Sequence, residues 1–337
     1  MIKKADIIFL KKLTFKKVFN AVKIYLNYFL SIIIKQSKRW GYPVSISVEP
    51  TATCNLHCPE CPSGTGELKR YKGNIDFFLY KNIIDEFAPY LLNLILYFQG
   101  EPFLNKDIFK IFEYASLKKK IFTSTSTNGH FLDLEAAQKT VESGLDKLII
   151  SIDGTTQEIY EKYRKGGDLE TAIQGIKNIV FWREKLKSET PYIVIQFIVF
   201  RFNEHQISEI KKLSKELKVD KLEFKSAQIY DNRNVGSLIP SIRKYSRYEK
   251  KSDGEYHIKS KLKNRCKRLW ESAVITNFGD VLPCCFDKDA DYVSGNIQKE
   301  RFSDINNNSV SVNFRKKLLK NRKQIDICKN CTEGLRK

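Results

Sequence analysis

The stretch 44-VSISVEPTATCNLHCPEC-61 decides how this chain is read. It opens on 44-VSISVEP-50, an alternating apolar run that reads as a strand buried on one face. It closes on three cysteines, Cys54, Cys58 and Cys61, spaced Cys-x3-Cys-x2-Cys. Thiolates bind iron strongly, and an iron–sulfur cube normally takes four protein ligands. Three thiolates on one short loop hold three corners and leave the fourth iron open to a small molecule. Zinc wants a fourth ligand, and His57, inside the loop, has a poor geometric claim to that place. Three unrelated buried cysteines are the plainest alternative.

Outward from this loop the chain alternates. Strand-like runs at 44–50, 94–100, 121–127, 147–153, 192–199 and 221–229 are separated by helix-like runs near 76–91, 107–119, 133–143, 156–186 and 206–218. Asp133, Thr155 and Asn203 stand where helix caps are expected. The alternation predicts an α/β fold, a partial (β/α)6 TIM-like barrel of parallel strands with helices outside. Chemistry in such barrels sits at the carboxyl ends of the strands. Four unusual segments fall at that rim: the Cys loop, 99-QGEP-102, 126-STNG-129 and 151-SIDG-154.

Four units are expected: a basic amphipathic helical extension over 1–43, the barrel over 44–229, a polar bridge over 230–262 and a small Cys-rich domain over 263–337. Residues 1–40 carry ten Lys/Arg against one acid, Asp6, within a chain of formal charge +20. Apolar residues recur at helical spacing over 5–38, with Lys on the other face. The densest run, 24-IYLNYFLSIII-34, is too short to span a bilayer. Two readings are open: a helix lying on an anionic membrane, or one covering the outside of the barrel. The remaining Lys residues are dispersed. No arginine stripe with interleaved aromatics is present, which argues against nucleic acid. The chain shows no cleavable signal peptide. Its clustered cysteines therefore read as metal ligands in a reducing cytoplasm rather than as disulfides, with peripheral contact at the inner face of the membrane as the further expectation.

On the Cys54–Cys58–Cys61 loop after a first strand, the sequence resembles the radical S-adenosylmethionine (radical SAM) superfamily. The resemblance covers roughly residues 44–334. It implies that these cysteines ligate a [4Fe–4S] cluster whose open iron is chelated by S-adenosylmethionine. Cleavage of that cofactor then yields a 5′-deoxyadenosyl radical that takes hydrogen from a substrate. It also implies a low-potential electron donor of the flavodoxin or ferredoxin type. Residues 99-QGEP-102 look like the family's Gly-Gly-Glu-Pro segment, with Gln99 in place of the first glycine. Gly100, Glu101 and Pro102 are expected at the methionyl end of the cofactor. Ser126, Asn128, Ser151 and Asp153 are expected to meet the ribose or the carboxylate, with Tyr163-Arg164 as an added contact. Glu60 stands where the family commonly has an aromatic residue beside adenine, so Tyr97 or Phe98 takes that duty.

Cys266, Cys284, Cys285, Cys328 and Cys331 form a second constellation, around a hairpin turn at 277-NFGD-280. Spacing and hairpin resemble the SPASM auxiliary-cluster domain and its shorter twitch form. The resemblance implies a second [4Fe–4S] cluster on Cys266, Cys284, Cys328 and Cys331, with Cys285 spare. The same four thiolates could instead form a structural zinc knot. A fully ligated cluster suits electron transfer, so the expectation is a two-electron, dehydrogenase-like oxidation of a sugar, cyclitol or glycan. A peptide-modifying maturase, of the kind that matures ribosomal peptides or sulfatases, is the first rival. A non-redox, zinc-stabilised membrane-associated binding protein is the second. Lys225, Gln196 and Arg201 are candidates for the general base, and pattern does not choose among them.

Overall fold

A computed structural model describes residues 4–229, 235–259 and 262–331. Parts of the expected extension, bridge and C-terminal unit (1–3, 230–234, 260–261 and 332–337) lie outside the described residues. Six parallel strands follow one another: β1 Ser45–Val48, β2 Asn93–Ile95, β3 Phe122–Thr127, β4 Lys147–Ser151, β5 Tyr192–Val199 and β6 Lys221–Ser226. One set of alternating residues, including Ile46, Leu94, Leu148, Ile150, Ile193, Ile195 and Phe197, is fully buried against the helices. Each such side chain contributes about 1.5–3 kcal/mol by leaving water. The other set faces inward and turns polar toward the carboxyl end, where Ser151, Gln196 and Glu223 lie in register, with Ser126 on β3 pairing one step earlier with Ile149. The barrel therefore has a hydrocarbon outside and a wettable inside.

Local chemistry sets the helix starts. Asp76 accepts hydrogen bonds from Phe78 N and Leu79 N ahead of helix Phe77–Phe87, and Asp133 accepts from Ala136 N ahead of Leu134–Glu142. The expected helix at 156–186 is two, Gln157–Tyr163 and Leu169–Lys185. Gly166, at φ +74°, breaks it in the left-handed region. Asp168 then caps the second piece through Thr171 N. Two expected caps do other work. Thr156, not Thr155, precedes the helix, and Asn203 accepts from Phe200 N while donating to Asp153 O and Ile198 O.

Two N-terminal helices, α1 Lys4–Leu10 and α2 Phe15–Ile34, cross the amino ends of the strands. Ala5 packs on Ile149, Tyr192 and Val194, and Phe9 meets Phe122 edge-on at 5.7 Å. Lys12 Nζ reaches Asp146 Oδ2 at 2.5 Å and Ile121 O at 3.1 Å, and Lys17 Nζ donates to Lys120 O at 2.9 Å. These contacts close the barrel at the end opposite the Cys loop. α2 then runs on to the C-terminal part, where Ala21, Ile24 and Tyr28 share a core with Leu269, Trp270, Leu318 and Leu319. Packing on protein thus holds for one face of α2. The other face is apolar and open.

The expected small C-terminal domain is not a detached unit. Its hairpin, β9 Ser272–Ile275 and β10 Asp280–Leu282, adds to the barrel through β9, which pairs parallel with β1. β11 Gly295–Asn296 completes a nine-stranded sheet in the order β11-β10-β9-β1-β2-β3-β4-β5-β6. The physical reason is the edge of β1, whose unpaired backbone groups β9 satisfies. Gly279, at φ +86°, makes the expected hairpin turn. The bridge contains a small hairpin of its own, β7 Tyr248–Lys250 with β8 Tyr256–Ile258. Its Tyr248 Oη donates to Asn330 Oδ1 at 2.7 Å.

Candidate functional site

The Cys loop leaves β1 at the carboxyl rim. Its backbone is folded on itself by Cys61 N to Cys58 O (3.1 Å), Gly64 N to Cys61 O (2.8 Å) and Leu56 N to Cys54 Sγ (3.4 Å). Gly64 is required by close approach, since a Cβ there would lie 2.6 Å from Cys58 N. The three cysteines pack into one cluster with Leu56, Tyr163, Phe200 and Ala227. Burial pushes the Cys54 thiol up to about 11 and raises Cys58 as well, against the pull of Arg164. Protons must leave this loop as metal arrives. His57 Nδ1 lies 3.3 Å from Gly64 O, spent on the loop backbone rather than on a metal.

The segment 99-QGEP-102 lies directly against that loop. Gly100 has φ +72°, and a Cβ there would come within 2.5 Å of Thr51 O and 2.7 Å of Thr53 O. Glu101 N donates to Thr53 O at 2.8 Å. The buried Glu101 carboxylate accepts from Thr127 Oγ1 and Asn128 N, both at 2.7 Å, and from Phe103 N at 3.2 Å. Desolvation still wins and lifts its pKa to about 7. Pro102 opens a short 3-10 turn. Gln99 N donates to Glu49 Oε1 at 3.1 Å, and Gln99 Oε1 stands 3.9 Å from Cys61 Sγ.

Of the other expected cofactor contacts, Asn128 Nδ2 donates to Asn55 Oδ1 inside the Cys loop at 2.7 Å. Ser126 and Ser151 face the barrel interior from β3 and β4. Asp153 sits one step back from the expected contact. One carboxylate oxygen meets Arg164 Nε at 2.7 Å and the other accepts Ile198 N at 2.6 Å, so both are engaged by protein. Asp153 thereby holds Arg164, whose Nη1 is 3.9 Å from Cys58 Sγ. The largely buried Arg164 guanidinium therefore stands beside the Cys loop. Tyr97 and Phe98 follow β2, but Phe98 lies under Arg70, 5.1 Å from the guanidinium carbon to the ring centroid. Of the base candidates, Gln196 is half-buried on the inner face, Lys225 is exposed and paired with Glu223, and Arg201 lies beyond β5 near Glu204.

Four of the five cysteines of the second constellation lie together. Cys266, Cys284, Cys328 and Cys331 line one pocket, partly open to solvent, with Leu269, Phe314 and Leu318. Cys285 does not line it. Its Sγ accepts from Arg268 Nη1 at 3.0 Å, and its thiol is held below the ordinary value by the Cys284 thiol donating to it and by Arg268. Arg322, buried, donates from Nη2 to Cys331 Sγ at 3.2 Å and from Nη1 to Arg265 O at 3.0 Å. Burial raises Cys328 against the pull of Arg322. Sequence reasoning missed Arg268, Arg322, Glu49 and Asn55. Only Glu49 left a signal, an acid ending a buried strand.

Among the described residues, no three His, Cys, Asp or Glu side chains converge to hold a single metal ion. The four auxiliary thiols line one pocket, a donor set that suits a thiolate-ligated iron–sulfur cube and is shared by structural zinc. At the first site three thiols, a buried carboxylate and a buried guanidinium suit a cube with one open iron and an amino-acid ligand. Both donor sets therefore fit iron–sulfur clusters.

Comparison with known proteins agrees. Residues 48–213 match the Radical SAM superfamily, and residues 266–332 match the SPASM iron–sulfur cluster-binding domain. The chain is 24% identical over 208 residues to the PqqA peptide cyclase of Bradyrhizobium diazoefficiens, covering 61% of this chain and 53% of that protein. It is 27% identical over 172 residues to the mycofactocin maturase of Mycobacterium tuberculosis, 51% of this chain and 42% of that protein. The chain thus spans about half the length of these curated relatives. It is 26% identical over 293 residues to the S-adenosyl-L-methionine-dependent 2-deoxy-scyllo-inosamine dehydrogenase of Niallia circulans, 85% of this chain and 91% of that protein. In fold it resembles Streptococcus suis SuiB bound to S-adenosylmethionine, with TM-score 0.63, 16% identity and coverage of 87% and 73%. It also resembles BtrN in complex with AdoMet and 2-DOIA, with TM-score 0.52, 22% identity and coverage of 86% and 93%.

Proposed function

This chain belongs to the radical SAM superfamily, with a C-terminal SPASM iron–sulfur domain, and from that premise we propose that it is a dehydrogenase-type oxidoreductase acting on a hydroxyl-bearing sugar, cyclitol or glycan. When bound, the first cluster supplies the electron that splits S-adenosylmethionine into methionine and a 5′-deoxyadenosyl radical. The protein's part is to bind, orient and exclude water. Cys54, Cys58 and Cys61 would hold the cluster. Glu101 would take the methionyl ammonium and Arg164, steadied by Asp153, the carboxylate. Ser126 and Ser151 would meet the ribose, and Asn128 would brace the Cys loop through Asn55. The polar inner face, with Gln196 and Glu223, would receive the hydroxyl-rich substrate.

One observation carries the dehydrogenase reading: four thiols line a single auxiliary pocket while the fifth, Cys285, turns to Arg268. Four ligands leave no iron free for substrate, so that site suits receipt of an electron. The inosamine dehydrogenase, matched over nearly its whole length, points the same way. Net oxidation removes a hydrogen atom, a proton and an electron from one substrate carbon and its hydroxyl.

Anaerobic reconstitution with iron and sulfide tests the reading. The expected protein is brown, holds about eight irons per chain and forms 5′-deoxyadenosine with a strong reductant. Cys58→Ala should abolish cleavage. A deuterated polyol substrate should pass its label to 5′-deoxyadenosine and emerge as the ketone. A colourless chain carrying zinc would overturn the reading. A second reading, peptide modification, is favoured by the similarity to the peptide cyclase and the mycofactocin maturase. It predicts that the label comes from a peptide side chain instead.

A further inference from the structure

We infer that α2 is an in-plane membrane anchor that seats the barrel's closed end on an anionic lipid surface, with the catalytic rim facing the water. Phe15, Phe19, Val22, Leu26, Phe29 and Ile33 recur at spacings of three and four, so they form one continuous stripe. Each is exposed: Phe15 86%, Ile33 73% and Phe29 62%. Scattered exposed apolar residues are ordinary, but a contiguous stripe of this kind marks a contact surface. On the opposite side of the same helix, Ile24, Tyr28 and Ser31 are buried in the protein. The helix is thus apolar on both faces, with protein on only one.

α2 has 20 residues and is apolar enough to cross a bilayer by length and composition. Its packing decides otherwise. Spanning would tear Tyr28 from Trp270, 5.7 Å between ring centroids, and would carry Lys17 and Asn20 into hydrocarbon away from the backbone groups they bond. Lying flat keeps every one of these contacts and buries only the stripe.

Charge selects the surface. Lys16 and Lys23, both exposed, flank the stripe one above the other at a spacing of seven, and exposed Lys35 and Lys38 follow the helix. Between Phe15 and Lys38 no acidic residue interrupts them. This complements anionic headgroups. Orientation follows from the contacts below the barrel. Lys12 and Lys17 bond groups at the amino ends of β3 and β4, whereas the Cys loop and Glu101 lie at the carboxyl ends. A lipid surface on the stripe therefore leaves the cofactor site open to the aqueous side. The substrate is reached from solution or as a headgroup held well clear of the bilayer, not from within it.

The inference does not depend on the catalytic reading, and its test needs no cluster. The full chain is sedimented with vesicles of phosphatidylcholine alone and with added phosphatidylglycerol. Expected is binding to the anionic vesicles, weakened at least tenfold by Phe19→Ser/Phe29→Ser and by Lys16→Glu/Lys23→Glu. Both pairs are exposed, and circular dichroism should show them folded. Hydrogen exchange on the vesicles should protect 15–34 and leave 55–72 unchanged. Failure to bind anionic vesicles overturns the proposal. So does a homodimer abolished by Phe19→Ser/Phe29→Ser without vesicle binding, which would make a second copy the occupant. Protection of 55–72 in place of 15–34 would overturn the orientation.

Discussion

Glu101 shows what a single buried carboxylate does here. Its pKa of about 7 lies above the ordinary 4.5 because desolvation outweighs three donors. A raised folded pKa means its stabilising effect is complete below the ordinary value and is lost as pH rises through the folded one. Cofactor-free protein should therefore lose stability between about pH 4.5 and about pH 7. Urea unfolding at several pH values checks this, and the Glu101→Gln curve should be flatter in that window. S-adenosylmethionine affinity should move the opposite way, rising with pH in the wild type and falling at least tenfold in the Gln variant near pH 8. Arg322 makes the same kind of statement at the auxiliary site. A buried cation 3.2 Å from Cys331 Sγ favours the more negative, reduced state of whatever the thiolates hold. Arg322→Gln should lower the auxiliary midpoint potential by roughly 60 mV, about 1.4 kcal/mol for one electron. Redox titration followed by electron paramagnetic resonance measures it; an unchanged potential would reduce Arg322 to a packing role. Cys54, Cys58 and Cys61 were legible from spacing, because one short loop must bring neighbours together. Arg322 and Arg268 were not, since they reach their sulfurs across the fold and no local pattern marks them.

Elements carry the site through close backbone contact. Gly100 lies where a methyl group would strike Thr51 O and Thr53 O, and its φ of +72° already disfavours any other residue. Gly100→Ala should push the Cys loop from its seat. Iron content after reconstitution should fall by half or more while the second cluster still loads, read from iron analysis together with spectra of the auxiliary site. Most elements were predictable for the usual reason, a periodic apolar pattern between recognisable caps such as Asp133. The misplacements have identifiable causes. Gly166 cut one expected helix in two, and Asn203 spent its amide on Phe200, Asp153 and Ile198 instead of capping. Both were visible in sequence as a Gly-Gly pair and an Asn, but the choice between cap and strand brace belongs to neighbours far along the chain.

The whole molecule is tied together at one buried ion pair. Glu49, directly after β1, accepts from Arg70 at 2.5 and 2.6 Å, from Gln99 N and from Asn277 N at the turn of the C-terminal hairpin. The Cys loop, the Gln99–Pro102 segment and the auxiliary domain therefore share one carboxylate. Glu49→Gln leaves Arg70 buried without its counter-charge and should cost about 3 kcal/mol, whereas Glu49→Leu/Arg70→Met together should cost less. Denaturant unfolding of the three variants measures the difference. Equal loss in single and double variants would deny the pair this role. By itself the sequence determined the barrel and the three-thiol loop, because strand alternation and ligand spacing are short-range facts of the chain; the second group of cysteines, spread over residues 266–331, was read through its resemblance to the SPASM pattern. Only the tertiary structure decided that the auxiliary hairpin continues the barrel sheet at the edge of β1. It also decided that Arg164, and not Asp153, fronts the Cys loop, and that α2 has protein on one apolar face and none on the other. Those outcomes depend on which buried charge and which sheet edge find partners distant in sequence, and no local pattern encodes that.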